Sequence, residues 1–376
     1  MNDTLQDLMR SATKLTQAGR LSEATATIQR ALGNAGASVR AAAAHALVDP
    51  SPMVLDGCVF EVPEPGLDAA APAAAPAPAP APATAAFTSG THTHATLTRA
   101  YKLFVPPGRA ERPRALVVML HGCTQDPDDF AAGTGMNACA LEQDFVVLYP
   151  AQSQDANPSR CWNWFKHNHQ QRGSGEPALI ASMTSAVMKE HGIDPRRIYI
   201  AGLSAGGAMA TIVAEAYPEI FAAVGVHSGL PRGAASSVPE ALSVMNIGVA
   251  GTAAPARARR VDSGAGVPVP TIVFHGDEDR TVHPRNGEQV IAAALGGTAA
   301  GATRIEHGMS RQGRRYTRST HAEEDGAVRA EHWVLHGAGH AWSGGHAAGS
   351  YTDALGPDAS REMLRFFFEH PLLPTH

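Results

Sequence analysis

A serine with glycines two positions away on either side is the feature of this sequence that best indicates chemistry, because residues 202–206 read Gly-Leu-Ser-Ala-Gly. The apolar run 197–201 before it is typical of a short strand, and the run 211–217 after it is typical of a helix. In a strand–turn–helix context this pentapeptide presents a serine hydroxyl at the positive end of a helix. The pattern predicts that Ser204 is a nucleophile. A chance match is the alternative in a chain with 37 glycines, so the prediction depends on partners elsewhere in the sequence.

An acid is predicted after the apolar run 270–274, which is typical of a strand and leads into a loop with two aspartates. A carboxylate on the loop after such a strand lies at the carboxyl edge of an α/β sheet, where ligands bind. Asp279 is the preferred acid because it lies beyond the sharp turn at Gly276 and is free to reach a histidine. Asp277 is the alternative, interpreted as a turn former.

A base is predicted at His340, on the glycine-rich loop that follows the alternating run 331–336. The chain order Ser, Asp, His is that of an α/β-hydrolase triad. In such a triad His340 takes the proton of Ser204 and returns it to the leaving alkoxide, while Asp279 fixes the imidazole tautomer. Two histidines inside the run are interpreted as packing or facing solvent: His332 and His336.

An oxyanion hole is predicted from the run 114–120, which is typical of a buried strand and leads into His-Gly-Cys-Thr-Gln at 121–125. One oxyanion donor in this chemistry is the backbone N–H after the nucleophile, here that of Ala205, and the other comes from a loop after an early strand. Cys123 is the candidate for the second donor. His121 is interpreted as structural, and an ordinary tight turn is the alternative for this loop.

Four motifs together resemble the poly(3-hydroxybutyrate) depolymerase-type esterases, which are related to feruloyl and acetylxylan esterases. The resemblance covers roughly residues 95–370 and rests on HGCTQ at 121–125, CWNWF at 161–165, GLSAGG at 202–207 and GHAW at 339–342. It implies an α/β-hydrolase fold, with a central, mostly parallel sheet flanked by helices. The functional residues that it implies are the triad Ser204, Asp279 and His340, the oxyanion amides of Cys123 and Ala205, and cleft-lining tryptophans at Trp162 and Trp342, with Trp164 as a further candidate.

The tryptophan assignment has an alternative, in which Trp162 and Trp164 are core residues. The resemblance also implies a disulfide between Cys123 and Cys161, although four cysteines allow three pairings and a reduced state is the alternative. The state of the other two cysteines stays open at this point: Cys58 and Cys139.

The chain is predicted to have three parts: a helical hairpin at 1–33, an Ala/Pro-rich linker at 34–90 and a catalytic domain at 91–376. An opening pair of antiparallel strands is expected shortly after Thr91, and residues 228–268 are interpreted as an insertion near the active site. The hairpin is expected to dock on its own domain, on a second copy or on another partner.

Composition limits the other partners. A net charge of −5 argues against nucleic acid, and uninterrupted apolar runs of 18 residues are missing, which argues against a membrane span. The spacings His92-x-His94 and His167-x-His169 lack further ligands, so neither a metal nor a cofactor is expected. The first residues lack a signal-peptide pattern, which favours the cytoplasm; an extracellular location is the alternative that the family and a disulfide imply.

The sequence therefore predicts a serine carboxylic ester hydrolase that cleaves polyesters or oligoesters of 3-hydroxyalkanoates through an acyl-enzyme. A feruloyl or acetylxylan-type esterase is the alternative within the same chemistry. A non-catalytic granule-binding protein on a hydrolase scaffold is the alternative from a different class.

Overall fold

The computed structural model describes residues 85–108, 110–248, 269–296 and 301–373. Its strands are Ala86–His94 (β1), Leu97–Val105 (β2), Leu116–Leu120 (β3), Val146–Pro150 (β4), Ile198–Leu203 (β5), Ala223–His227 (β6), Thr271–Gly276 (β7), Thr303–Met309 (β8), Arg315–Ala322 (β9), Val328–Leu335 (β10), Trp342–Ser343 (β11) and Thr352–Asp353 (β12). Its helices are Pro127–Thr134 (α1), Met136–Gln143 (α2), Gly175–His191 (α3), Ala205–Ala216 (α4), Val238–Ile247 (α5), Arg285–Ala294 (α6) and Ala359–Glu369 (α7), with a single 3₁₀ turn at His167–His169 within the described ranges.

The first ten strands form one sheet in the order β1-β2-β4-β3-β5-β6-β7-β10-β9-β8. Its six central strands, from β4 to β10, pair in parallel, and the strands outside them pair antiparallel. Every residue of β3, β4, β5, β6 and β7 is buried, as expected for parallel strands that are covered by helices on both faces. This arrangement confirms the predicted α/β-hydrolase fold.

The core has two halves, one on each face of the sheet. Alternate residues of β3 point into opposite halves, with Val118 in one and Met119 in the other. Buried residues of α3, α4, α5 and α6 complete the first half, and those of α1, α2 and α7 complete the second. The two helix layers therefore cover the sheet and leave its carboxyl edge for the loops that carry the candidate site.

The sheet begins earlier than the sequence suggested. Residues 86–90, which sequence analysis assigned to the linker, form the first half of β1 and pair with β2. Phe87 packs edge-on against Tyr149 at 5.7 Å between ring centroids, and this apolar contact explains why the strand continues back into an alanine-rich segment. The predicted opening pair of antiparallel strands is therefore present. The predicted hairpin at 1–33 and linker residues 34–84 lie outside the described residues.

The predicted insertion at 228–268 is described as far as residue 248, and this part contains α5. Residues 249–268 lie outside the described ranges. Among the helices that the structure describes, none combines the length and apolar character that crossing a membrane requires.

Candidate active site

Ser204 occupies a strained turn between β5 and α4, with φ 57° and ψ −120°. A non-glycine residue in such a region costs about 1–3 kcal/mol and indicates a conformation that its surroundings impose. The flanking glycines explain how: a Cβ at Gly202 would lie 2.4 Å from the carbonyl carbon of Gly206, and a Cβ at Gly206 would lie 2.0 Å from the Leu120 carbonyl oxygen. The Ser204 side chain makes no capping hydrogen bond to α4, so its hydroxyl is not used by the helix.

Asp279 and His340 come together at the carboxyl edge of the sheet. His340 Nδ1 lies 2.7 Å from Asp279 Oδ2, and the other carboxylate oxygen accepts hydrogen bonds from the backbone N–H groups of Thr281 at 2.8 Å and Val282 at 2.9 Å. Because an ionised carboxylate only accepts, Nδ1 carries the proton and donates it. The Nε2 atom of a neutral His340 then keeps its lone pair and can take a proton from a nucleophile.

The carboxylate of Asp279 is stabilised in its ionised form. Burial by itself would raise its pKa, but the hydrogen bonds from His275 and His340 and the charge of His340 outweigh this effect and hold the pKa well below its usual range. An ionised Asp279 favours an imidazolium at His340, which is the species that forms when a serine is deprotonated. A relay from Ser204 to His340 stays a prediction.

In the loop at 121–125, two backbone N–H groups donate hydrogen bonds, and the N–H group between them is available to a ligand. Gly122 N–H donates to Gln125 Oε1 at 2.9 Å and Thr124 N–H donates to the Ser159 carbonyl at 2.7 Å. Within the described ranges, the Cys123 N–H between them has no acceptor. The first residue of a helix likewise has no intrahelical acceptor, and in α4 this residue is Ala205. These are the two amides predicted for the oxyanion hole, and that role stays a prediction.

A disulfide joins Cys123 to Cys161, which confirms the pairing that the family resemblance implied. It connects the loop with the available amide to the segment 161–165. Cys139 is a free thiol buried in the core, and burial raises its pKa to about 11. Cys58 lies outside the described residues.

A buried carboxylate that sequence reasoning did not select supports this segment. Glu176 is fully buried and accepts hydrogen bonds from Gln152 Nε2 at 2.5 Å, from Asn163 N–H at 2.8 Å and from Asn163 Nδ2 at 2.7 Å. A guanidinium nitrogen of Arg99 lies 3.7 Å away. Burial would raise the pKa of Glu176, but His169, whose Nδ1 lies 3.4 Å from the carboxylate, and the hydrogen bonds from Gln152 and the Asn163 N–H hold it below its usual range. A single glutamate at the start of a helix gives no local signal of this role.

The same network reaches the loop at 121–125 through His121. Gln152 N–H donates to His121 Nε2 at 3.1 Å, and His121 Nδ1 donates to the Gly122 carbonyl at 2.8 Å. Burial lowers the pKa of His121 to about 4, so the ring is neutral and holds the loop in place. This geometry agrees with the structural interpretation of His121.

The three tryptophans that the resemblance assigned to the cleft lie inside the protein. Trp162 is 0% exposed, Trp164 is 4% exposed and Trp342 is 1% exposed. The indole N–H of Trp162 donates to the His121 carbonyl at 3.1 Å, and that of Trp342 donates to Ser360 Oγ at 3.1 Å. This burial contradicts the assignment of the three rings to an exposed cleft wall, and the Trp162 indole instead bonds to the loop at 121–125. Direct contact with substrate stays a prediction.

Two further histidines lie close to the acid and the nucleophile. His275, in β7, donates from Nε2 to the Val282 carbonyl at 2.8 Å and lies 3.4 Å from Asp279 Oδ2, so it braces the acid loop. His227, the last residue of β6, accepts the Ser204 N–H on its carbonyl oxygen at 2.8 Å. Their position at the carboxyl ends of parallel strands is the signal that could have identified them.

A second aspartate–histidine pair lies near the first. His336 Nδ1 is 2.8 Å from Asp277 Oδ2, and the same carboxylate accepts the Gly337 N–H at 2.7 Å. The pair lines an open, charged cavity of about 600 Å³ together with Glu278 and Arg315. Asp277 therefore has a histidine partner of its own, in addition to the turn that sequence analysis proposed.

Comparison with known proteins identifies the family. The model of the family described as esterase PHB depolymerase matches residues 99–316, which is more than half of the chain. The chain belongs to the esterase PHB depolymerase family. The matched range includes Ser204 and Asp279 and ends before His340.

Curated relatives of this PHB depolymerase-family chain include three esterase types. Poly(3-hydroxyalkanoate) depolymerase C of Paucimonas lemoignei is 39% identical over 179 residues, which are 47% of this chain and 43% of that protein. Feruloyl esterase B of Neurospora crassa is 33% identical over 36% of this chain and 47% of that protein. A probable acetylxylan esterase A of Aspergillus fumigatus is 28% identical over 49% of this chain and 51% of that protein. The chain spans about half the length of the curated relatives it matches.

Among solved structures, an acetyl xylan esterase from Aspergillus awamori superimposes with a TM-score of 0.58 at 20% identity. The superposition covers 72% of this chain and 94% of that chain. At this level of identity the similarity supports the fold of the family member and nothing about its substrate.

Proposed function

We propose that this chain is a serine carboxylic ester hydrolase that cleaves polyesters or oligoesters of 3-hydroxyalkanoates. The observation that carries the proposal is the 2.7 Å contact between His340 and Asp279 in a chain whose β5–α4 turn holds Ser204 in a strained conformation. Family membership supports it.

In the proposed reaction, Ser204 Oγ attacks the ester carbonyl carbon while His340 Nε2 takes the hydroxyl proton. The N–H groups of Cys123 and Ala205 bind the oxyanion of the tetrahedral intermediate. The bond to the leaving alcohol then breaks, and His340 protonates the alkoxide. A water molecule, deprotonated by His340, attacks the acyl-enzyme, and the acid is released with Ser204 restored.

The substrate class is supported by the relative with the highest identity among those described above, whose name is that of a poly(3-hydroxyalkanoate) depolymerase. A short-chain hydroxyalkanoate ester is uncharged along its length. Relatives named as a feruloyl esterase and an acetylxylan esterase support the alternative, in which the same triad cleaves plant cell-wall esters.

The nucleophile is tested by the variant Ser204→Ala. We expect the loss of about 10⁴-fold or more of kcat on a short p-nitrophenyl acyl ester, because a triad without its nucleophile keeps only binding and oxyanion stabilisation. A fluorophosphonate probe should label the wild-type chain at Ser204 and fail to label the variant. Retained turnover would remove Ser204 from the proposal, and an unlabelled wild-type chain would favour the non-catalytic granule-binding alternative.

The substrate is tested by comparing kcat/KM on 3-hydroxybutyrate oligomers, methyl ferulate and acetylated xylo-oligosaccharides, with products identified by mass spectrometry. We expect the oligomers to give the highest value. A higher value on either plant ester would replace the proposed substrate class and leave the triad in place.

We also propose that the chain works in an oxidising compartment. Disulfides persist in secreted and periplasmic proteins and are rare in the cytosol, and the bond between Cys123 and Cys161 supports the extracellular alternative over the cytoplasmic expectation. Trapping of free thiols in the source cells tests this proposal. If Cys123 and Cys161 are found reduced there, the cytoplasmic interpretation is favoured instead.

A further inference from the structure

His227 contacts the turn that carries Ser204 and the loop that carries His340, which must come together in the candidate triad. Its backbone carbonyl accepts the Ser204 N–H at 2.8 Å, so the residue is fixed to the nucleophile turn. Its ring Nε2 accepts the backbone N–H of Ser343 at 3.0 Å, three residues after His340. One residue therefore connects the serine turn to the loop that carries the base, although Ser343 lies 116 residues further along the chain.

The hydrogen bonds fix the tautomer of this ring. A backbone N–H can only donate, so Nε2 of His227 is unprotonated when it accepts from Ser343. In a neutral ring the proton then lies on Nδ1, which is 3.2 Å from Ser228 Oγ and donates to it. Burial, with smaller contributions from His275 and His340, lowers the pKa of His227 to about 3, so this neutral tautomer is kept at ordinary pH.

The faces of the ring are also occupied. His227 stacks on Trp342, with ring centroids 5.2 Å apart and an interplanar angle of 27°, and on Phe274 at 5.9 Å and 13°. Trp342 lies two residues after His340, and Phe274 lies in the strand that leads to Asp279. The ring is completely buried. Each segment that carries a candidate triad member therefore contacts the same imidazole or its backbone.

We propose that His227 is a positioning residue, which sets the loop of His340 against the turn of Ser204 through the bond from its Nε2 to the Ser343 N–H. The inference rests on the proposed function, because it concerns the alignment of that triad. A flat ring with an acceptor at its far end and a donor near its base satisfies both polar contacts and both stacking contacts at once. His227 touches no substrate in this proposal.

Two variants with amide side chains of different length test the role of His227 Nε2. The longer amide side chain of His227→Gln can place an oxygen near the position of Nε2 and accept the Ser343 N–H, whereas the shorter amide of His227→Asn reaches only the position of Nδ1. We expect kcat on p-nitrophenyl butyrate, per active site titrated with a fluorophosphonate, to fall about 30-fold or more in His227→Asn. It should fall no more than about fivefold in His227→Gln, with KM within about threefold of the wild-type value in both.

His332→Gln is the matched control, because this histidine lies in β10 of the same sheet and its Nε2 is buried without a hydrogen-bond partner in the described part of the chain. We expect its kcat per titrated site to stay within about twofold of the wild-type value. Melting temperatures of all variants, measured by circular dichroism, separate folding from alignment.

The outcomes separate the inference from the proposed function. Equal kcat values per titrated site in His227→Asn and the wild-type chain would overturn the inference, as would equal losses in the Asn and Gln variants. If the wild-type chain fails to hydrolyse the ester or to react with the probe, the proposed function itself is wrong.

Discussion

Two aspartate–histidine pairs lie on neighbouring loops of this protein and differ in almost everything except their central contact. His340 Nδ1 is 2.7 Å from Asp279, and His336 Nδ1 is 2.8 Å from Asp277. The first pair is buried, with 11% of the histidine and none of the aspartate side chain exposed, whereas the second is exposed by 34% and 38%. A contact distance therefore does not distinguish a candidate catalytic pair from a hydrogen-bonded pair at the surface.

The second difference concerns the other imidazole nitrogen. His336 Nε2 lies 2.9 Å from Thr317 Oγ1 in β9, so its lone pair accepts a hydrogen bond from the threonine hydroxyl. Within the described ranges, His340 Nε2 has no hydrogen-bond partner. The two aspartates also differ in support, since the carboxylate of Asp279 is braced by His275 and by two backbone N–H groups. Burial and an available nitrogen distinguish a pair that can act as a base.

The sharpest test of this comparison replaces each aspartate by asparagine. In Asp279→Asn we expect kcat to fall about 10³-fold or more, because an amide can favour the wrong imidazole tautomer and does not stabilise the imidazolium. Asp277→Asn is the matched control and should keep kcat within about threefold. The measurement is steady-state hydrolysis of p-nitrophenyl butyrate at pH 8, and comparable losses in both variants would contradict the assignment of the acid.

The choice between these aspartates shows what the sequence can predict. The β5–α4 turn follows from local rules, since a short apolar run, a serine between two glycines and a helical run follow one another directly in the sequence. The place of Asp279 beyond the turn at Gly276 favours it over Asp277 as the acid, and the structure brings Asp279 to His340. The contact between Asp277 and His336 is missed because the sequence pattern gives Asp277 a role in the turn and His336 a place within the strand.

Other features required the folded chain. The family resemblance assigns Trp162 and Trp342 to the cleft, but large aromatic residues suit both a cleft and a core, and a sequence pattern does not separate the two. The contact of Glu176 with Gln152 and that of Ser343 with His227 span 24 and 116 residues. Residues 303–322, which contain the antiparallel strands β8 and β9, are mostly polar or charged, and so weak an apolar pattern predicts no element there.

The disulfide between Cys123 and Cys161 allows a test of the loop at 121–125, which is predicted to supply an oxyanion donor. Cys161→Ala breaks the bond and leaves the backbone amide of Cys123 in the chain. We expect kcat to fall about tenfold, which is less than the 10²–10³-fold effect of removing an oxyanion donor, because the donor is loosened rather than lost. Cys139→Ala is the control and should keep kcat within about twofold. Unchanged kcat in Cys161→Ala would show that the network around Glu176 holds the loop without the disulfide.

The buried pair of Asp279 and His340 should also change how the stability of the protein depends on pH. The pKa of Asp279 is depressed in the folded protein, so its ionised form stabilises the fold above the unfolded pKa of about 3.9, and this stabilisation is lost as the pH falls toward the folded value. We expect Asp279→Asn to lower Tm by about 5 °C at pH 7, with the difference shrinking below about pH 4. Calorimetric melting curves between pH 3 and pH 8 measure it. A difference that grows on acidification would contradict the sign.

The smallest effect is expected where the second pair is made to resemble the first. Thr317→Val removes the hydroxyl bound to His336 Nε2 and leaves that nitrogen available on a pair that is still exposed. If an available nitrogen were sufficient, the double variant Ser204→Ala/Thr317→Val would gain hydrolysis of p-nitrophenyl butyrate over Ser204→Ala alone. We expect no gain within about twofold and a wild-type kcat for Thr317→Val, because water competes for the exposed imidazole. A measurable gain in the double variant would mean that burial matters less than the available nitrogen.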